Sequence, residues 1–188
     1  MRIINSNLLK KIIFSLLILY VGLSLGHSNI KTSYSYHKSI NSDAYIYLDI
    51  AEHGFSGITQ DHRSTRIFIP IAAYYISKAN PFEGKYNTPQ LSIFIVSLAI
   101  FFITTITLFN FVYKKFNLNI ALVSVIFFFL HFTSINQYFF GLPDTLEFLL
   151  SLLLFIILSN NKLFFLIPLF IVAAFNRESF VLFAIPTL

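Results

Sequence analysis

The sequence predicts an all-α protein, a polytopic bundle of transmembrane helices, and three observations point there. Only 11% of the 188 residues are charged, against about 25% in soluble domains. The mean hydropathy is +0.75. Apolar runs of roughly 20 residues recur, the length that crosses a bilayer as a helix. A soluble helical core would need a polar face on each helix, yet the polar residues of 93–109 are Ser and Thr alone.

The first span is predicted over 8–26. Arg2, Lys10 and Lys11 precede or open it, and positive flanks stay cytoplasmic, which places the N-terminus inside. A cleaved signal peptide is the rival, with Ser24, Leu25 and Gly26 as a small-x-small cleavage site. Either way residues 27–90 lie outside the cytoplasm. Within that loop, 43–53 lacks Gly and Pro and reads as a short helix stopped by Gly54 and Gly57. Residues 67–76 are apolar but too few to span and contain Pro70, so they read as a second, interfacial helix. Pro81, Gly84 and Pro89 mark 80–90 as a linker.

Four more spans are expected, over 91–113, 118–140, 143–159 and 163–185, making about five in one membrane domain. Lys114, Lys115 and Lys162 fall in inner turns under this topology, as the positive-inside rule asks. The outer loop is basic too, but long loops cross largely regardless of charge. The apolar end at Leu188 reads as the N-terminal part of a longer chain, or as a truncated one. No internal repeat is visible.

The formal net charge of +5 carries no basic helix, so nucleic acid is not expected as a partner. The lack of cysteine excludes disulfides, thiolate metal sites and cysteine nucleophiles. Gly22-Leu23-Ser24-Leu25-Gly26 matches the G-x-S-x-G pattern of hydrolases. That motif needs a strand-to-helix turn, and here it ends a transmembrane helix.

Three of the eight acidic residues, Asp43, Asp49 and Glu52, fall in the first loop helix. At about 100° per residue, Tyr47 and Ile50 lie within about 40° of Asp43, whereas Asp49 lies about 120° away and Glu52 about 180°. The acids therefore diverge, which argues against a two-carboxylate glycosidase pair flanking one bond. Asp43 is left with two readings, a helix N-cap, a role open to Asn41 and Ser42 as well, or a solitary chemical group.

The stretch SDAYIYLDIAEHGF, followed by RSTRIFIPIAAYYI, resembles the first luminal loop of the GT-C superfamily of membrane glycosyltransferases. It is similar to the GPI mannosyltransferase type and to bacterial enzymes that use polyprenyl-phosphate sugars. Asp43, Tyr47, Leu48, Ile50, Ala51, Gly54 and Phe55 match the loop, and Arg66 with Pro70 fits its second part. The Asp-Glu pair of protein O-mannosyltransferases is absent, since Ala44 follows Asp43. GLPDTLEFLLSLLLF and AAFNRESFVLFAIP resemble later segments of these proteins.

The resemblance implies a GT-C-like fold and transfer of a sugar from a polyprenyl-phosphate donor to an extracytoplasmic glycan, lipid or protein. It implies an inner membrane or endoplasmic reticulum location, with the active loop periplasmic or luminal. The lipid phosphate is already a good leaving group, so one carboxylate suffices, and Asp43 is the expected base. Tyr47, Arg63, Arg66, Arg177 and His62 are the candidates for binding the donor and its phosphate, Arg being suited to bidentate contact. Arg63 and Arg66 read equally as headgroup-snorkelling residues. Arg177 with Glu178 reads equally as an outer loop or a mutual pair within apolar sequence.

Asp144 and Glu147 open the fourth span. They suit the positive end of a helix dipole, or an acceptor or metal site on the outer side. His53 and His62 could join Asp43 around a divalent metal ion, while His131 reads as a packed bundle histidine. Two other functions stay open: an inactive GT-C relative acting as a scaffold or remnant, and a transporter or flippase. The latter class tends to show repeats and mid-membrane charges.

Overall fold

The computed structural model describes residues 43–58, 67–79, 89–130 and 144–176, with positions 14, 16–18, 20, 21 and 24 of the first apolar segment. Among these residues the protein is helical and has no strand. The helices are α1 (Asp43–His53), α2 (Phe68–Ala79), α3 (Pro89–Lys115), α4 (Leu118–Leu130), α5 (Asp144–Ser159) and α6 (Leu166–Ala174). A 3₁₀ turn, Gly54–Gly57, follows α1, and another, Leu163–Phe165, precedes α6.

Local chemistry sets most of these boundaries. Gly54 ends α1 at φ +66°, a left-handed conformation that costs an L-residue about 1–2 kcal/mol. A Cβ there would also meet the Tyr74 ring of α2 at 3.0 Å. At Gly57 a Cβ would fall 2.6 Å from the Asp49 carbonyl oxygen, so the turn folds tightly back onto α1. Pro70 sits in the first turn of α2, where its missing N–H leaves no bond unmade. The first i to i−4 bond there runs from Ile71 N–H to Ile67 O at 2.9 Å.

The long helix α3 begins at Pro89, a residue the sequence assigns to the linker. Proline's fixed φ suits the first helical position. Its other end carries Lys114 and Lys115, which suit the negative end of the helix dipole. Asn117 Oδ1 accepts the Ile120 N–H at 3.0 Å and caps the start of α4. At the end of α5, Asn161 takes φ +53°. Lys162 N–H then bonds Ile157 O at 3.0 Å, and Asn161 N–H bonds Leu158 O at 3.1 Å. That pair of bonds is a Schellman stop.

Helix α3 is the hub, packing against α1, α2, α4 and α5, while α6 packs on α5. Midway along α3, Phe101 stacks on Phe128 and Phe129 of α4 at 5.7 and 5.3 Å. Phe128 in turn stacks on Phe148, early in α5, at 5.0 Å. Further on, Phe111 of α3 meets Phe155 of α5 edge-on at 5.6 Å. Helices α3 and α5 therefore run in the same direction. Phe14 of the first apolar segment meets Phe109 at 4.6 Å, beside the C-terminal end of α3.

The interior admits small polar residues beside its large apolar ones, and the surface carries large apolar side chains. Ser97, Thr104 and Thr105 of α3 are fully buried. The two threonine hydroxyls donate to Ile100 O at 2.7 Å and Phe101 O at 2.8 Å, which satisfies them within their own helix. Ile103, Leu122, Ile126, Phe127, Leu130 and Ile167 are exposed.

At about 1.5 Å per residue, α3 reaches about 40 Å, beyond the roughly 30 Å hydrocarbon layer. Among the described residues it is the one helix long and apolar enough to cross a membrane. Helices α4, α5 and α6 are apolar but shorter. The predicted continuations of two of them, 131–140 and 177–185, lie outside the described residues.

Candidate functional site

Helix α1 positions the residues that the sequence singles out. Tyr47, Ile50 and Ala51 are buried, with Tyr47 1% exposed, and Gly54 continues their stripe. Asp49, Glu52 and His53 are exposed on the other side. The angular argument thus holds for the described side chains. The acids at 49 and 52 face outward, and the apolar residues that share the register of position 43 face the core. Asp43 is the first residue of α1, one turn before Tyr47 and two before Ile50 on that stripe.

On the outer face, His53 Nδ1 lies 3.0 Å from Asp49 Oδ1 and 3.2 Å from the Asp49 carbonyl oxygen. Both side chains are about half exposed, so this pair contributes little stability. The pairing holds His53 with Asp49 rather than with the inward stripe. Among the described residues, no three His, Asp or Glu side chains form a group that could hold a metal ion.

Tyr47, expected among the donor-binding residues, is buried on the inward face of α1. Asp144 begins α5 and Glu147 lies one turn later, partly buried. Because α5 runs parallel to α3, both occupy the end of the bundle at which α3 begins. Nine of the ten buried residues of α3 fall between Ser92 and Thr105, so the packing of the other helices concentrates toward that end. The structure thus sets Asp43 at the start of α1, and Asp144 and Glu147 in the first turn of α5. His62, Arg63, Arg66, His131 and Arg177 lie outside the described residues.

At the opposite end, α3 and α5 border a cleft of about 400 Å³ lined by Asn110, Phe111, Lys114, Lys115, Asn160 and Lys162, among others. Sequence reasoning used these lysines as topology markers and missed the cleft. The available signal was Asn110 one turn before Lys114, polar residues at helical spacing near the end of an apolar run.

No protein-family model, curated protein or solved structure matches this chain. Its functional reading therefore rests on its own residues and on the motif resemblance.

Proposed function

We propose that this chain is a multi-pass membrane glycosyltransferase module of GT-C type, transferring a sugar from a polyprenyl-phosphate donor to an extracytoplasmic acceptor. The observation that carries the reading is the register of α1. Of the three acids in the helix, Asp43 alone shares the stripe of Tyr47 and Ile50, whereas Asp49 and Glu52 face outward. A helix start is also where a backbone dipole favours the ionised carboxylate.

In the proposed reaction Asp43 takes the proton from the acceptor hydroxyl as its oxygen attacks the anomeric carbon. The bond from that carbon to the phosphate oxygen breaks, and the lipid phosphate leaves with the electron pair. Attack opposite the leaving group inverts the anomeric centre. Arg63, Arg66, His62 and Arg177 are the candidates for meeting the departing phosphate, through charge-assisted hydrogen bonds. Asp144 and Glu147, in the first turn of α5, are candidates for holding the acceptor.

The orientation proposed is N-terminus inside and α1 outside. Contact between Phe14 and Phe109 supports it, because the start of the first apolar segment then shares an end with Lys114 and Lys115. The apolar exteriors of α4 and α6 support further membrane segments.

The test is transfer of labelled sugar from a panel of polyprenyl-phosphate hexoses by membranes carrying the full chain. Asp43→Asn should lower the rate by about 100- to 10,000-fold, the usual contribution of a positioned base, with membrane levels of protein unchanged. Full activity in that variant removes Asp43 from the chemistry. Absence of transfer by the wild type with every donor favours the scaffold reading.

A further inference from the structure

The cleft at the C-terminal ends of α3 and α5 is basic, and no carboxylate lines it among the described residues. Lys114 and Lys115 come from the last turn of α3, and Lys162 from the turn that follows α5. Among the described residues none of the three makes an ion pair. The two helix C-termini together carry about one negative charge, so three ammonium groups leave about two positive charges uncompensated.

Capping does not account for Lys162. The final carbonyls of α5 already accept the backbone N–H groups of Asn160, Asn161 and Lys162, and the Asn160 Nδ2 amide donates to Ile156 O at 2.7 Å. Asn110 adds an exposed amide one turn before Lys114. The polar lining thus offers three ammonium groups and two side-chain amides whose N–H groups suit an anion with several oxygens.

The surroundings narrow the class of anion. Phe111 and Ile156 form apolar wall within the cleft, while Phe116, Leu118, Leu163 and Phe164 are exposed beyond it. A free phosphate would use the donors alone, whereas a lipid uses both parts, with its phosphate among the lysines and its chains along the apolar side chains. We infer that this cleft holds the headgroup of an anionic phospholipid, bound by Lys114, Lys115 and Lys162 and oriented by Asn110. The inference rests on α3 crossing the membrane and not on glycosyl transfer, so the Asp43→Asn assay leaves it untouched.

The test offers the full-length protein, purified in mild detergent, equimolar phosphatidylglycerol and phosphatidylcholine with the same acyl chains. Native mass spectrometry counts the lipid retained. The wild type should retain phosphatidylglycerol selectively. K114Q/K115Q/K162Q should weaken that retention on the order of 100-fold, at roughly fivefold per lysine. K31Q/K38Q/K78Q, which removes the same charge elsewhere, should retain the lipid as the wild type does, and so should K114R/K115R/K162R.

Equal retention of both lipids by the wild type, or equal loss in the two glutamine variants, overturns the inference. Complete displacement of the lipid by inorganic phosphate overturns it in favour of a free-anion site. If the first variant does not fold, salt dependence decides the matter for the wild type, since selectivity that survives high salt contradicts a lysine-held headgroup.

Discussion

Helices α1 and α4 pack by one rule and carry different outer faces. Each presents a narrow stripe to the core: Tyr47, Ile50 and Ala51 in α1, and Ala121, Val125 and Phe128 in α4. Their outer faces are opposites. α1 shows Asp49, Glu52 and His53, whereas α4 shows Leu122, Val123, Ile126 and Phe127. A water-facing helix gains from charge on its outer side, and a lipid-facing helix cannot carry it there cheaply. The inner stripe reports that a helix packs, and the outer face carries the chemistry by which the two helices differ.

The comparison can be broken first at the inner stripe. Tyr47→Ala should be the most damaging change, about 3–5 kcal/mol, because it empties a fully packed aromatic position. A melting temperature like that of the wild type, measured in detergent, would mean that α1 does not belong to the packed bundle. The outer faces come next. Phe127 is 69% exposed, and Phe127→Lys should cost about 2.5–3.5 kcal/mol of membrane insertion if lipid covers that face. A reporter-based insertion assay reads this directly, and unchanged insertion would put water against α4. The smallest effect belongs to the outside of α1. Glu52→Ala and His53→Ala should each change stability by less than about 0.5 kcal/mol, since exposed charges and surface pairs contribute little. A large loss on thermal unfolding would reveal a partner for that face.

The same two helices show what the sequence can disclose. The limits of α1 are legible because Gly54 and Gly57 are demanded by a left-handed turn and by close backbone approach. Its inward and outward faces follow from a 3.6-residue period. That period does not distinguish a core residue from a ligand contact, and the donor-binding role of Tyr47 comes from the motif resemblance alone, while the structure shows the residue buried. Pro89 reads as linker because proline punctuates loops, yet it is equally at home in a first helical turn. The basic cleft left only a faint local signal, Asn110 one turn before Lys114. Lys114 and Lys162 stand far apart in the chain, and the parallel alignment that joins them depends on the contact between Phe111 and Phe155. The motif resemblance proposes a role for Asp43, but backbone register carries that proposal only as far as the stripe on which the residue sits.

The absence of cysteine makes the central contrast directly measurable. Glu52→Cys and Phe127→Cys, each in otherwise unaltered protein in intact membranes, can be treated with a membrane-impermeant maleimide. Water on the outer face of α1 and lipid on that of α4 predict rapid labelling at position 52. At position 127 they predict protection that is lost when detergent dissolves the bilayer. Equal labelling of the two positions before solubilisation, with the reagent given access to both sides, would contradict the lipid-facing bundle.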